Sequence, residues 1–441
     1  RALPRARARV RVAGGRAMRR LSIAMPRTTA YDLPLVAIVL ALLAAGLAMV
    51  YSASGIRALD ALDDPRYFLI QQSAWAAIGL VAMAVAARID YHRYRAVALP
   101  LLLFAIVLLV LVLVPGIGTR AGGAARWLRV SSFAGLQPAE LAKLALILYL
   151  SFWLAARRDR IGGASVTLRF AALVALVAGL VVAEPDLGTA IVMGGIALAL
   201  YFAAGARLLA FGALGVLAGS AAAILAVAQP YRIQRVLTFL DPWSDPRGSG
   251  FHTIQSLYGL ALGGPFGEGL GAGKEKFGFL PAPHTDSIFA VIGNELGLVG
   301  TGAVILLFLA LAFRGIRVAL RAPDAEGALI ATGITVWLAF QGWVNMSVVA
   351  SLVPMTGITL PFISYGGSSL CVGLVAVGIL LNIGRAGASS GPEPAPRLPR
   401  PAGGRRDGRP RQSPPGGRGG RDRAGPGRAL PVPRWSSRAR G

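Results

Sequence analysis

The 441-residue chain is 55% apolar with a mean hydropathy of +0.61, which excludes an ordinary soluble domain and points to residence in a membrane. Its formal charge of +25 does not call for nucleic acid: residues 1–29 hold nine Arg and no acid, and residues 386–441 hold thirteen Arg against Glu393, Asp407 and Asp422, so the tails carry +19 of the total. Cys371 is the only cysteine and His92, His252 and His284 the only histidines, which excludes a disulfide framework within the chain and argues against a multi-histidine zinc site.

The predicted architecture is an all-α polytopic membrane protein of about ten spans. A hydrocarbon core of roughly 30 Å takes about 20 helical residues, and apolar segments of that kind are read near 33–51, 68–87, 97–115, 138–155, 166–183, 187–204, 208–228, 286–313, 327–352 and 362–383. The first is long enough to span, and no A-x-A-like site follows it, so the basic leader 1–30 reads as a cytoplasmic segment rather than a secretory signal. Only Glu184, Pro185 and Asp186 separate the fifth and sixth spans, a proline-and-carboxylate hairpin rather than one very long helix. The connections rich in Lys and Arg, such as Arg157, Arg158, Arg160 and Arg169, are expected inside. Both termini are then cytoplasmic, and the long connection 229–285 is extracytoplasmic. Residues 386–441, dominated by Pro, Gly and Arg, read as a disordered cytoplasmic tail following a membrane domain over 31–385.

A loop of this length is usually functional. Residues 231–240 can form a short helix carrying Arg232 and Arg235, and Phe251 to Leu262 has the apolar spacing of a helix lying in the membrane interface. The glycine run from Gly263 to Lys276 lacks the spacing and the Ser or Thr of a nucleotide phosphate loop. Two readings remain: a flexible hinge, or a close approach of backbone amides and Lys274 to a phosphorylated headgroup. At its end stands Asp286, after His284 and Thr285: either an N-cap for the eighth span or a carboxylate able to take a proton from a bound hydroxyl. Deeper in, Glu295 needs a partner. Lys143 with Glu140 on the fourth span, and Asp186 opening the sixth, are the other conspicuous ionisable groups at membrane depth, either functional or interhelical pairs that fix packing. The segment Ser364 to Ser369, with Ser368, admits close helix packing or a polar cavity lining.

Taken together, YSAS at Tyr51, ARWL at Ala125, QPAELAKL at Gln137, PDLGTA at Pro185, FLDPWSDPRGSGFHTIQS at Phe239, GEGLGAGKEKFGFLPAPHTDSIFAVIGNELGLVG at Gly267 and PMTGITLPFISYGGSSL at Pro354 resemble the SEDS family of shape, elongation, division and sporulation proteins. The resemblance runs in order over about residues 31–385 and is closer to the division branch. It implies a ten-helix membrane enzyme polymerising lipid II into β-1,4-linked peptidoglycan strands and releasing undecaprenyl pyrophosphate. The implied partners are a class B penicillin-binding protein and other division membrane proteins, with no nucleic acid. Asp286 takes the catalytic position; Arg232, Arg235, Lys274, Lys143, His284 and Ser368 are substrate-binding candidates, with Glu295 and Asp186 as structural charges. A divalent cation, Mg or Mn, is the one cofactor considered, with Asp286 as a candidate ligand and no organic cofactor. This chain has Ala282 and Asn294 where many relatives have acids. A lipid flippase and a noncatalytic division scaffold are the competing readings; against the first, hydropathy shows no matched pair of interrupted helices.

Overall fold

The computed structural model describes residues 31–121, 124–129, 135–273, 280–281 and 283–389. The basic leader, Lys274 and the tail beyond Ser389 lie outside the described residues. In chain order the helices are α1 (Leu33–Leu62), α2 (Tyr67–Arg88), α3 (Tyr94–Leu113), α4 (Pro138–Ala155), α5 (Ala164–Ala183), α6 (Leu187–Ala203), α7 (Leu208–Val227), α8 (Pro230–Leu240), α9 (Phe251–Leu262), α10 (Ile288–Leu320), α11 (Ala325–Val349) and α12 (Gly367–Ser389). Among the described residues nine are long and apolar enough to cross a membrane, and the 17-residue α6 is the shorter tenth. The chain is therefore an all-α polytopic membrane protein, as the apolar runs require when every backbone group must be satisfied within its own segment.

Three features were not anticipated. The connection between α3 and α4 is not featureless: β1 (Gly118–Ala121), β2 (Ala124–Arg129) and β3 (Gly135–Leu136) form an antiparallel ribbon in that order. The last span begins at Gly367 rather than near residue 362, because Phe362 takes a left-handed φ of 66° and the preceding residues turn. The eighth span is not continuous, since α10 is interrupted at Gly297, whose φ of 65° and ψ of −158° are non-helical.

That interruption explains the glycine run. A break inside a membrane helix frees N–H and C=O groups, each costly to leave unpaired in hydrocarbon. The segment after α9 supplies the partners: Leu298 and Val299 donate to Gly264 and Pro265 carbonyls, while the Asn294 and Glu295 carbonyls accept from Glu268 and Gly269 amides, all at 2.9–3.1 Å. Gly267, Gly269 and Gly271 have φ between 80° and 105°, and a Cβ on Gly267 would overlap the Glu295 carbonyl. The described part of the run, Gly263 to Gly273, is thus a plug hydrogen-bonded to the broken helix, which speaks against the hinge, one of the two readings of the run.

Elsewhere the bundle closes through small residues. A Cβ on Gly367 would strike the Trp75 ring, and one on Gly378 the Met83 carbonyl, so α12 lies tightly along α2. Buried between α4, α11 and α12 is a satisfied polar cluster. The Lys143 ammonium donates to Glu140 Oε1 at 2.9 Å and Gln341 Oε1 at 2.6 Å, lies 5.0 Å from the Trp337 ring centre, and Ser369 Oγ donates to Glu140 Oε2 at 3.1 Å.

Candidate active site

The segments that meet around Asp286 come from distant parts of the chain. Asp286 precedes Ser287, which occupies the N-cap of α10, and its carboxylate does not cap that helix. Its Oδ1 accepts from Thr285 Oγ1 at 3.1 Å. The backbone is clamped from α11: Asn345 Nδ2 donates to the Asp286 carbonyl at 2.8 Å and to the Ile358 carbonyl at 2.7 Å. Gly357 has a φ of 70°, and a Cβ there would stand 3.9 Å from Asp286 Oδ2. A side chain at 357 would therefore be strained by its left-handed backbone and would stand in van der Waals contact with Oδ2, which has no protein partner among the described residues.

Asp286 lines a cavity of about 530 Å³, and it is the one acidic side chain among the described residues of the wall. Arg126 of β2, Arg235 of α8 and His252 of α9 share that wall. Arg126 is held by the turn between α5 and α6, its Nε donating to the Glu184 carbonyl at 3.2 Å and an Nη to the Pro185 carbonyl. Arg235 has a weak 3.5 Å contact to the Met355 carbonyl and lies 5.8 Å from the Tyr231 ring centre, with no carboxylate partner among the described residues. Burial, and then the Asp286 charge opposed by Arg235, sets His252: the net effect holds its imidazole below the ordinary histidine range, so it is neutral at pH 7. An adjoining groove of about 330 Å³ shares Pro185, Tyr231, Arg235 and Met355 with the cavity and runs between α6, α7 and α11 over apolar side chains such as Ile191, Ala226 and Trp343.

Of the expected site residues, Asp286 and Arg235 reach the cavity. Arg232 borders only the apolar groove, and its guanidinium is spent on the Val182 and Leu225 carbonyls and the Tyr231 hydroxyl, fastening α8 to α5 and α7. Lys143 is 1% exposed in the cluster described above and does not line the cavity. His284 packs its ring against Phe68 and Tyr365, with centres 4.8 and 5.7 Å away, and Ser368 Oγ accepts from the Gln137 amide at 3.3 Å; neither lines the cavity. Asp186 caps α6 through the Thr189 amide at 3.0 Å and hydroxyl at 2.9 Å. Glu295 accepts from Ser52 Oγ at 2.6 and 2.7 Å and from the Gly271 amide at 3.0 Å, so it joins α1, the plug and the break in α10.

Arg126 and His252 were missed as site residues. Arg126 sits in the ARWL motif, whose short alternating run was the available sign of a strand; His252 lies on a helix whose apolar spacing alone had been weighed. Among the described residues no group of three or more His, Cys, Asp or Glu could hold a metal.

Residues 33–388 match a family model described as a cell cycle protein of the FtsW, RodA and SpoVE group. A probable peptidoglycan glycosyltransferase FtsW of Geobacter metallireducens is 46% identical over 354 residues, covering 80% of this chain and 94% of that protein. The stage V sporulation protein E of Bacillus subtilis is 44% identical over 362 residues, covering 81% and 98%. Among solved structures, a chain of a peptidoglycan synthase complex that coordinates polymerization and crosslinking matches with a TM-score of 0.66 at 34% identity, covering 81% of this chain and 98% of that one. Thermus thermophilus RodA, a rod shape determining protein, matches with a TM-score of 0.61 at 29% identity, covering 82% and 98%. With a family model spanning most of its length, the chain belongs to the FtsW/RodA/SpoVE family of multi-pass membrane proteins.

Proposed function

We propose that this protein is a peptidoglycan glycosyltransferase that polymerises lipid II into β-1,4-linked glycan strands during cell division and releases undecaprenyl pyrophosphate. The observation that carries the reading is one carboxylate, Asp286, open on its Oδ2 side in a cavity walled by Arg126 and Arg235 and continuous with an apolar groove. A substrate made of a sugar, a pyrophosphate and a long isoprenoid asks for those three surfaces side by side. The relatives named as glycosyltransferases add to it.

The pyrophosphate of the donor leaves as a weak base, so one base and a cationic cradle suffice, without the paired carboxylates of glycoside hydrolysis. Asp286 Oδ2 takes the proton from the acceptor 4-hydroxyl, and that oxygen forms a bond to the donor anomeric carbon with inversion as the bond to the pyrophosphate oxygen breaks. Arg235 and Arg126 offset the charge gathering on the leaving group. The isoprenoid stays in the groove beside α7.

The excess of Lys and Arg in the opposite set of loops supports placing this cavity on the outer face of the cytoplasmic membrane, with both termini inside. A class B penicillin-binding protein is the proposed partner, supported by the structural likeness to a chain of a peptidoglycan synthase complex. Purified protein supplied with that partner and lipid II in detergent is expected to accumulate glycan strands. Vectorial lipid movement in liposomes with no polymer would instead establish translocation.

A further inference from the structure

The cavity contains a histidine that the proposed reaction does not use. His252 lies on α9, and its Nε2 is hydrogen-bonded to Ser287 Oγ, the side chain immediately after Asp286. The ring therefore ties α9 to the start of α10 where the carboxylate is presented. Ser256 Oγ donates to the His252 carbonyl at 2.9 Å and fixes the backbone beneath it. The second ring nitrogen, Nδ1, has no partner among the described residues, and the ring lines the same wall as Asp286.

We infer that His252 is a positioning residue for Asp286 that works as the neutral imidazole: uncharged, it braces the start of α10 through Ser287, and on taking a proton it becomes an ion partner of the carboxylate and withdraws the base. The inference rests on the glycosyltransferase reading of the same cavity. The charged groups around the ring are Asp286 at the α10 start, Arg235 of α8 and Arg126 of β2 in the cavity wall. Asp241 and Asp245 flank the short turn packed beside α9. Glu295 lies inside α10, nine residues on from Asp286, and the only charged residue of α11, Glu326, is at the first turn of that helix. Asp286 draws a proton toward His252, while burial and Arg235 resist it. A proton acquired below the ordinary histidine range thus finds its counter-charge in the one group that must stay unpaired for catalysis.

Polymerisation of lipid II by the full chain with its partner, followed as a function of pH for wild type and His252→Gln, tests this. Glutamine keeps a hydrogen bond to Ser287 and cannot titrate. The expected result, with each profile normalised to its own neutral-pH rate, is an acid limb displaced to lower pH in the variant. At about pH 5.5 the variant keeps at least about threefold more of its neutral-pH rate than wild type does. Superimposable acid limbs overturn the inference. Ser287→Ala is the second variant, informative whether or not His252→Gln folds. It removes the brace, so kcat is expected to fall several-fold with KM for lipid II within about twofold, and the acid limb to move because a partner of the ring is gone. An unchanged kcat and an unmoved limb in Ser287→Ala also overturn it. Absence of polymer from wild type at every pH would refute the glycosyltransferase reading instead, and is thereby distinguished from failure of the inference.

Discussion

Asp186 and Asp286 both stand just before a helix, yet only Asp186 spends its carboxylate on it. Asp186 takes the amide and hydroxyl of Thr189 at the start of α6, whereas Ser287 occupies the cap of α10 and leaves Asp286 facing the cavity. Asp186→Ala is expected to cost about 1 kcal/mol of stability, the usual worth of an N-cap, whereas Asp186→Asn keeps an acceptor and stays close to wild type. Thermal melting in detergent distinguishes the two.

Two residues before Asp186, Glu184 is fully buried, and neither carboxylate oxygen has a hydrogen-bond partner among the described residues. Burial, reinforced by Asp186 and only partly offset by Arg126, pushes its pKa from 4.5 up to about 8. The native state therefore holds a proton that the unfolded chain releases above its ordinary value, so this residue lowers stability progressively as pH rises from about 4.5 toward 8, with no further change above that. Glu184→Gln copies the protonated form. Its melting temperature is expected to match wild type near pH 4.5, to exceed it at pH 7 and to exceed it most at pH 8 and above. A constant offset across that range would contradict the assignment.

The cluster around Lys143 makes a different forecast from a substrate-binding lysine. Removing one member of a buried pair leaves the other charge uncompensated, at a cost of about 3–5 kcal/mol. Lys143→Met is expected to lower folded yield and melting temperature, and Lys143→Met with Glu140→Gln to recover most of both. Activity per folded molecule of the double variant is then within a few-fold of wild type. A stable double variant with raised KM for lipid II would return Lys143 to the substrate.

The plug in α10 is tested by Gly267→Ala. Its φ of 80° and the overlap of the new Cβ with the Glu295 carbonyl combine a left-handed strain of about 1–2 kcal/mol with a clash against backbone that cannot yield. Gly212→Ala in α7, where a Cβ meets nothing within 4 Å, is the control and is expected to leave melting unchanged or slightly raised, since Ala favours a helix interior over Gly by up to about 1 kcal/mol.

Much of the fold was legible in the sequence, because the bilayer enforces long apolar helices. Asp286 was marked by its place at the end of the long outer loop and by the family resemblance, and Arg235 by the short helix read over 231–240. What could not be read was which partner each group finds. Lys143 and Glu140 sit three residues apart on α4, and only the tertiary fold brings Gln341 and Ser369 to them. The glycines at 267, 269 and 271 suggest freedom in a linear reading, but their left-handed backbone is demanded by a break at Gly297 roughly thirty residues downstream. Arg126 was hidden because its strand belongs to a small ribbon whose pairing is set by local register, which hydropathy does not report.

The central claim concerns one oxygen of Asp286. The most direct measurement is the yield of glycan strands from lipid II by wild type and by Asp286→Asn, each purified with its partner and matched for melting temperature and lipid II binding. The amide preserves the shape and the Thr285 contact but cannot hold the proton, so polymer is expected to fall by at least about a hundredfold with lipid II still bound. Equal polymer from both proteins would contradict the account.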